Sequence, residues 1–193
     1  MIKMREGFVV WLTGLPGSGK TTIAQQLEPE LRKLGWPVEV LDGDDIRQNL
    51  SKGLGFSRED RETHLKRVTY VAKLLSRNGV AVIAAFISPY RSIREYARKE
   101  TTNFVEVYVK CSMQTCAQRD PKGLYRKASS GQINDLTGPQ DVYEEPVTAD
   151  LVVDTEKLAI AESVDAIMTK LKELNLTPWR TGPTAATPDI APE

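Results

Sequence analysis

The segment "GLPGSGKTT", Gly14 to Thr22, sits just behind the apolar run "GFVVWL". It fits the pattern G-x-x-x-x-G-K-[ST], a loop whose backbone N–H groups wrap around phosphates. The pattern demands a particular local fold: a buried strand, a glycine-rich turn, and a helix whose N-terminal dipole points at the anion. Gly14, Gly17 and Gly19 let the backbone come close to phosphate in conformations barred to larger residues, and Leu15, Pro16 and Ser18 complete the loop. Lys20 is expected to reach the β- and γ-phosphates of a nucleoside triphosphate. The Thr21 hydroxyl is expected to ligate Mg²⁺, with Thr22 beside it.

The rest of the chain continues the same alternation. Apolar runs at Phe8–Leu12, Val38–Leu41, Val80–Ile87, Phe104–Val109 and Leu151–Val153 are continuous rather than alternating, which suits strands buried on both faces of a parallel sheet. Helical period marks Thr21–Leu34, Arg58–Asn78 with Ser57 as its N-cap, Ser92–Lys99 and Ala159–Leu174. A short helix over Ile46–Leu50 has Asp45 as a candidate cap. The expected fold is therefore α/β, of the P-loop NTPase type: a parallel five-stranded sheet with helices on both faces. Asp120–Pro146 is polar, basic and too long for a simple connection, so it reads as a lid. Residues 1–176 read as one domain. Thr177–Glu193, "TPWRTGPTAATPDIAPE", reads as a disordered tail.

Composition excludes some partners. The formal net charge is zero, so no global field draws the chain to nucleic acid or to an anionic membrane. No stretch reaches the ~18 apolar residues of a membrane span. Cys111 and Cys116 match no metal or redox spacing and suit a reducing, cytoplasmic setting. No N-K-x-D motif follows the loop, which argues against a GTPase, and "SSGQ" stands in too short a chain for a transporter ATPase. Phosphoryl transfer also needs carboxylates near the metal and the acceptor. "VEVLDGDD" supplies Asp42, Asp44 and Asp45 at the end of the second strand, where open α/β sheets bind ligands.

The motifs "LDGDDIR", "LGFSREDR", "AFISPYR", "RDPKGLYRKA" and "DVYEEP" occur in one order along Phe8 to Asp154. Together they resemble the adenylylsulfate kinases. These enzymes use ATP and Mg²⁺ to phosphorylate the 3′-hydroxyl of adenosine 5′-phosphosulfate (APS) in sulfate assimilation. The resemblance implies that Lys20 and Asp44 are catalytic, with Asp44 the candidate base that also faces the metal, and that Asp42 supports the metal's water shell. It implies that Arg47 and Arg61 grip the phosphosulfate and that Phe56 stacks on the APS adenine. Phe86, Ile87, Ser88 and Pro89 would line the acceptor pocket. Lys122, Gly123, Leu124 and Tyr125 would form the mobile lid, with Arg119 over the ATP adenine. Family members are commonly homodimers.

Two positions depart from the family pattern. "ENIRR" reads "THLKR" here, placing His64, the only histidine of the chain, three residues from Arg61 on one helical face. "FTG" reads "LTG", so Leu136 replaces the second aromatic of the adenine sandwich. A substrate-facing His64 would gain pKa beside a bound anion, making acceptor affinity fall as pH rises from about 6 to 8. Two other readings stay open: a kinase of this fold acting on a related anionic nucleotide, and a silent nucleotide-binding module.

Overall fold

The computed structural model describes residues 6–177. Most of the expected tail, residues 178–193, lies outside them. The five apolar runs become five parallel strands: β1 (Phe8–Thr13), β2 (Val38–Asp42), β3 (Ala81–Ala85), β4 (Phe104–Lys110) and β5 (Leu151–Asp154). Their spatial order is β2-β3-β1-β4-β5. The central strands are buried along nearly their whole length, as continuous apolarity predicts, while β2 and β5 form the edges and are partly exposed.

Each face of the sheet carries its own core. On one, Val10, Leu12, Ile83 and Val107 pack with Ile23 and Leu27 of α1 (Lys20–Lys33) and Ile167 and Leu171 of the C-terminal helix. On the other, Val9, Trp11, Val82 and Ala84 pack with Leu65, Val68 and Ala72 of α3 (Arg58–Arg77) and Ile93 and Ala97 of α4 (Arg91–Glu100). Strand alternation sends neighbouring side chains to opposite cores. Register then aligns the carboxyl ends: Leu12 and Asp42 both pair with Ala85, and Thr13 pairs with Tyr108. That shared end is where the loops of the site converge.

Three local expectations change. Strand β3 stops at Ala85 rather than Ile87, because after Phe86 the chain turns away through Ser88, a non-glycine residue at φ 41°. The short helix α2 (Gly43–Leu50) is capped by Asp42, whose carboxylate accepts from the Asp44 N–H, and not by Asp45. The region after β4 holds two short helices that periodicity did not reveal, α5 (Met113–Arg119) and α6 (Leu124–Ser129). Both are too short and polar to print a hydrophobic period. The lid has its own small core: Tyr125, Ala128 and Leu136 pack with Cys111 and Cys116 and with Leu15 of the phosphate loop. The C-terminal helix α7 (Ile160–Glu173) completes the fold.

Candidate active site

The phosphate loop is wound as its sequence predicts. Gly19 caps α1 from the left-handed region at φ 104°, a conformation that a β-carbon opposes. Lys20 folds back across the loop, donating to Gly14 O at 2.9 Å and Leu15 O at 2.7 Å, with Ser18 Oγ at 3.3 Å. Burial holds its ammonium down to about 8, and Lys122 adds a smaller repulsion. An ammonium ringed by carbonyls is ready to exchange those partners for phosphate oxygens, which carry full charge.

One helical residue beyond, Thr21 Oγ1 donates to Asp42 Oδ2 at 2.8 Å. Hydroxyl and carboxylate form a pair of hard oxygens at the mouth of the loop. Mg²⁺ keeps several waters and is usually bound by one or two protein oxygens plus substrate phosphates, so this pair fits it. Among the described residues no cluster of three or more His, Cys, Asp or Glu could hold a metal. Asp44, the second residue of α2, is exposed and ion-paired with Lys122 of the lid. Lid and acid therefore meet across the site.

The expected acceptor residues gather beside this pair. Phe56 is half-exposed, and the Arg47 guanidinium lies 4.4 Å from its ring centroid. Arg47 also donates to Gly55 O at 2.9 Å. Arg61 is buried and engaged by the lid segment. It donates to Thr137 Oγ1 at 2.5 Å and to Asp135 O, with Asp141 at 3.4 Å. An anion reaching Arg61 would have to compete with these partners. Ser88 is buried, and its Oγ accepts from Trp11 Nε1 at 3.0 Å and donates to Thr13 Oγ1 at 2.9 Å. Ile87 presents its carbonyl to Thr13 Oγ1 at 2.8 Å, and Pro89 accepts from Glu144 N–H at 2.8 Å. Phe86 is buried, stacked on Trp11 at 5.8 Å.

The two departures sit differently from their expected places. His64 is buried at 5% exposure, its Nδ1 2.7 Å from Ser51 Oγ and its ring edge-on to Phe86. Burial, then the charges of Arg47 and Arg67, push its pKa down to about 4. These surroundings disfavour the cation and so oppose the titration expected between pH 6 and 8. Leu136 is 6% exposed and packs inside the lid core rather than facing an open slot.

Beyond β5, Arg119 donates to Thr155 O at 2.7 Å and Thr155 Oγ1 at 3.1 Å, while Thr155 Oγ1 reaches Ser18 O at 3.0 Å. Glu156 accepts from Ser112 and Thr115, whose hydrogen bonds hold its carboxyl down near 2. Thr155 and Glu156 escaped sequence reading. They follow β5 in "DTEKL", at the carboxyl end of a strand, and that position was the available signal. Tyr143 was missed too; its hydroxyl lies 3.0 Å from Thr13 Oγ1.

Fold and site together define a P-loop kinase: a phosphate loop with its lysine, an oxygen pair for a metal, an acid at the neighbouring strand end, and a lid. The chain belongs to the adenylylsulphate kinase family, whose sequence model matches residues 6–154. It is 54% identical to a probable adenylyl-sulfate kinase of Pseudomonas aeruginosa over 84% of this chain and 76% of the relative. With a probable adenylyl-sulfate kinase of Pyrococcus abyssi the identity is 51%, over 90% of this chain and 99% of the relative. The solved Mycobacterium tuberculosis APS kinase in complex with AMPPNP and APS superimposes with a TM-score of 0.84 at 39% identity, over 86% of this chain and 98% of that one.

Proposed function

We propose that this chain transfers the γ-phosphoryl group of ATP to the 3′-hydroxyl of adenosine 5′-phosphosulfate, giving 3′-phosphoadenosine 5′-phosphosulfate. The observation that carries the reading is the convergence at one sheet end of Lys20, the Thr21–Asp42 pair, Asp44 and the Phe56–Arg47 platform. Phosphoryl transfer asks the protein chiefly for positioning and charge stabilisation. Lys20 neutralises charge on the β- and γ-phosphates. Asp44 accepts the proton of the acceptor hydroxyl once Lys122 leaves it, and Lys122 is then available to phosphate oxygens. Phe56 offers a π-face to the acceptor base, and Arg47 lies beside it with a planar fork suited to a tetrahedral anion. Thr21 and Asp42 would hold Mg²⁺, which when bound shields the phosphate charge. Arg119 covers the ATP base from the Thr155 side, and the lid over 120–146 excludes water.

Buried free thiols at Cys111 and Cys116 suit a reducing cytoplasm, and no helix among the described residues is long and apolar enough to cross a membrane. The family's habit of pairing makes a homodimer the expected assembly, read by light scattering on the eluting protein. The enzymatic test is coupled ADP release across APS, other nucleotides and small alcohols, with the product analysed for a 3′-phosphate. APS-dependent ADP and a 3′-phosphorylated product are expected. Turnover with a different anionic nucleotide and none with APS would replace this acceptor.

A further inference from the structure

Arg94 is the most completely buried cation among the described residues, at 2% exposure. Its guanidinium touches three separate segments. Nε donates to Glu106 Oε1 of β4 at 2.9 Å, Nη1 to Ser88 O of the β3–α4 turn at 2.6 Å, and Nη2 to Glu144 O of the strap that follows the lid at 2.6 Å. A planar fork of five donors spread over three nitrogens reaches acceptors on widely separated segments, whereas an ammonium's three donors diverge from a single nitrogen. Turn and strap are tied by other bonds as well: Glu144 N–H donates to Pro89 O at 2.8 Å, and Arg91 N–H to Glu144 Oε2 at 2.8 Å.

Both clamped segments carry the acceptor side. The turn holds Ser88 at φ 41°, a strained conformation for a residue with a β-carbon that persists only when its surroundings fix it. The strap carries Asp141, which pairs with Arg61 and accepts from the Tyr90 hydroxyl at 3.2 Å, and Tyr143, which meets Thr13. None of Arg94's three hydrogen-bond partners lies in the phosphate loop. We propose that Arg94 is a positioning residue for the acceptor: its three-way clamp sets the spacing of the Ile87–Pro89 turn and the Asp141–Glu145 strap, and thereby the width of the acceptor pocket. This rests on the acceptor reading given above.

The test uses the full chain and the variant Arg94→Lys. Lysine keeps a positive charge beside Glu106, whose other oxygen also pairs with Arg98 at 3.3 Å, so no buried carboxylate is left alone. The clamp, however, is lost. Misplacement of a binding wall by about 1 Å can cost on the order of a hundredfold, so KM for APS should rise about ten- to a hundredfold, with KM for ATP within about twofold. In ligand-free enzyme, amide exchange at Glu144 should accelerate while that of the phosphate loop stays as in wild type. Should Arg94→Lys fail to fold, Arg94→Gln with Glu106→Gln removes both charges together, avoiding an unpaired buried ion, and is read the same way. An unchanged KM for APS, or equal rises for both substrates, overturns the proposal. If the wild type does not turn over APS, the acceptor reading fails, and amide exchange alone decides whether Arg94 holds the strap.

Discussion

Ser51 Oγ and His64 Nδ1 lie 2.7 Å apart, joining the C-cap of α2 to the buried face of α3. The contact ties together the two helices that carry Asp44, Arg47 and Arg61. Burial, and then the charges of Arg47 and Arg67, disfavour the His64 cation, so its folded pKa near 4 lies below the unfolded value near 6.5. Between these values the unfolded chain binds more protons than the folded one, so stability rises with pH through that window. The contribution is complete above about pH 6.5 and is lost as pH falls towards 4. Thermal midpoints of wild type should therefore fall relative to His64→Asn as pH drops from 6.5 to 4. APS affinity should show no His64-dependent change between pH 6 and 8.

Lys20 gives a second pH signature. Burial keeps its folded pKa near 8 in the ligand-free protein, and triphosphate, an opposite charge at contact distance, favours the ammonium. ATP binding should therefore take up a proton when measured above about pH 8, and affinity should decline as pH rises further. Calorimetry at pH 8.5 in two buffers of different ionisation enthalpy reads the uptake. Equal heats in both buffers would show that Lys20 is already fully charged.

Replacing Lys20 or Asp44 by alanine should each reduce turnover by about 10²- to 10⁴-fold, the usual worth of electrostatic and proton-transfer contributions. Asp44 is exposed, so Asp44→Ala should leave the thermal midpoint near that of wild type. Lys20→Ala also removes a buried ammonium that satisfies loop carbonyls, so ATP affinity should fall alongside turnover. An Asp44→Ala enzyme that keeps more than a tenth of wild-type kcat would remove Asp44 as the base.

The fold was legible because its signals are local and strong. Continuous β-branched runs mark β1, β3 and β4, and the glycine pattern fixes where α1 begins. Ser57 caps α3 as read, accepting from Asp60 N–H at 3.1 Å, a contact worth about 1 kcal/mol. What escaped depends on tertiary position. His64 and Arg61 share a helical face, and that much was visible; that the face turns into protein and lid rather than solvent was not, since burial is set by segments far along the chain. The Arg94 clamp joins residues 12 and 50 positions apart, and no period links them. Helices α5 and α6 fell below the length at which periodicity can speak.

Leu136 decides whether the second departure from the family pattern is a lost stacking surface or a packed one. Sequence reasoning expects Leu136→Phe to tighten APS binding, since a restored aromatic pair is worth about 0.5–1.5 kcal/mol. The structure sets a cost against that gain. Leu136 is 6% exposed, enclosed by Cys111, Cys116, Tyr125 and Ala128, and its N–H donates to Gln140 Oε1 at 3.1 Å. Forcing a larger side chain into such a site typically costs about 1–3 kcal/mol, which outweighs the stacking term. Leu136→Phe should therefore lower stability by about that amount in urea titration and leave the APS dissociation constant no tighter than in wild type. A tighter constant with an unchanged urea midpoint would show that residue 136 leaves the lid core when the acceptor binds, and that leucine there is a true loss of stacking.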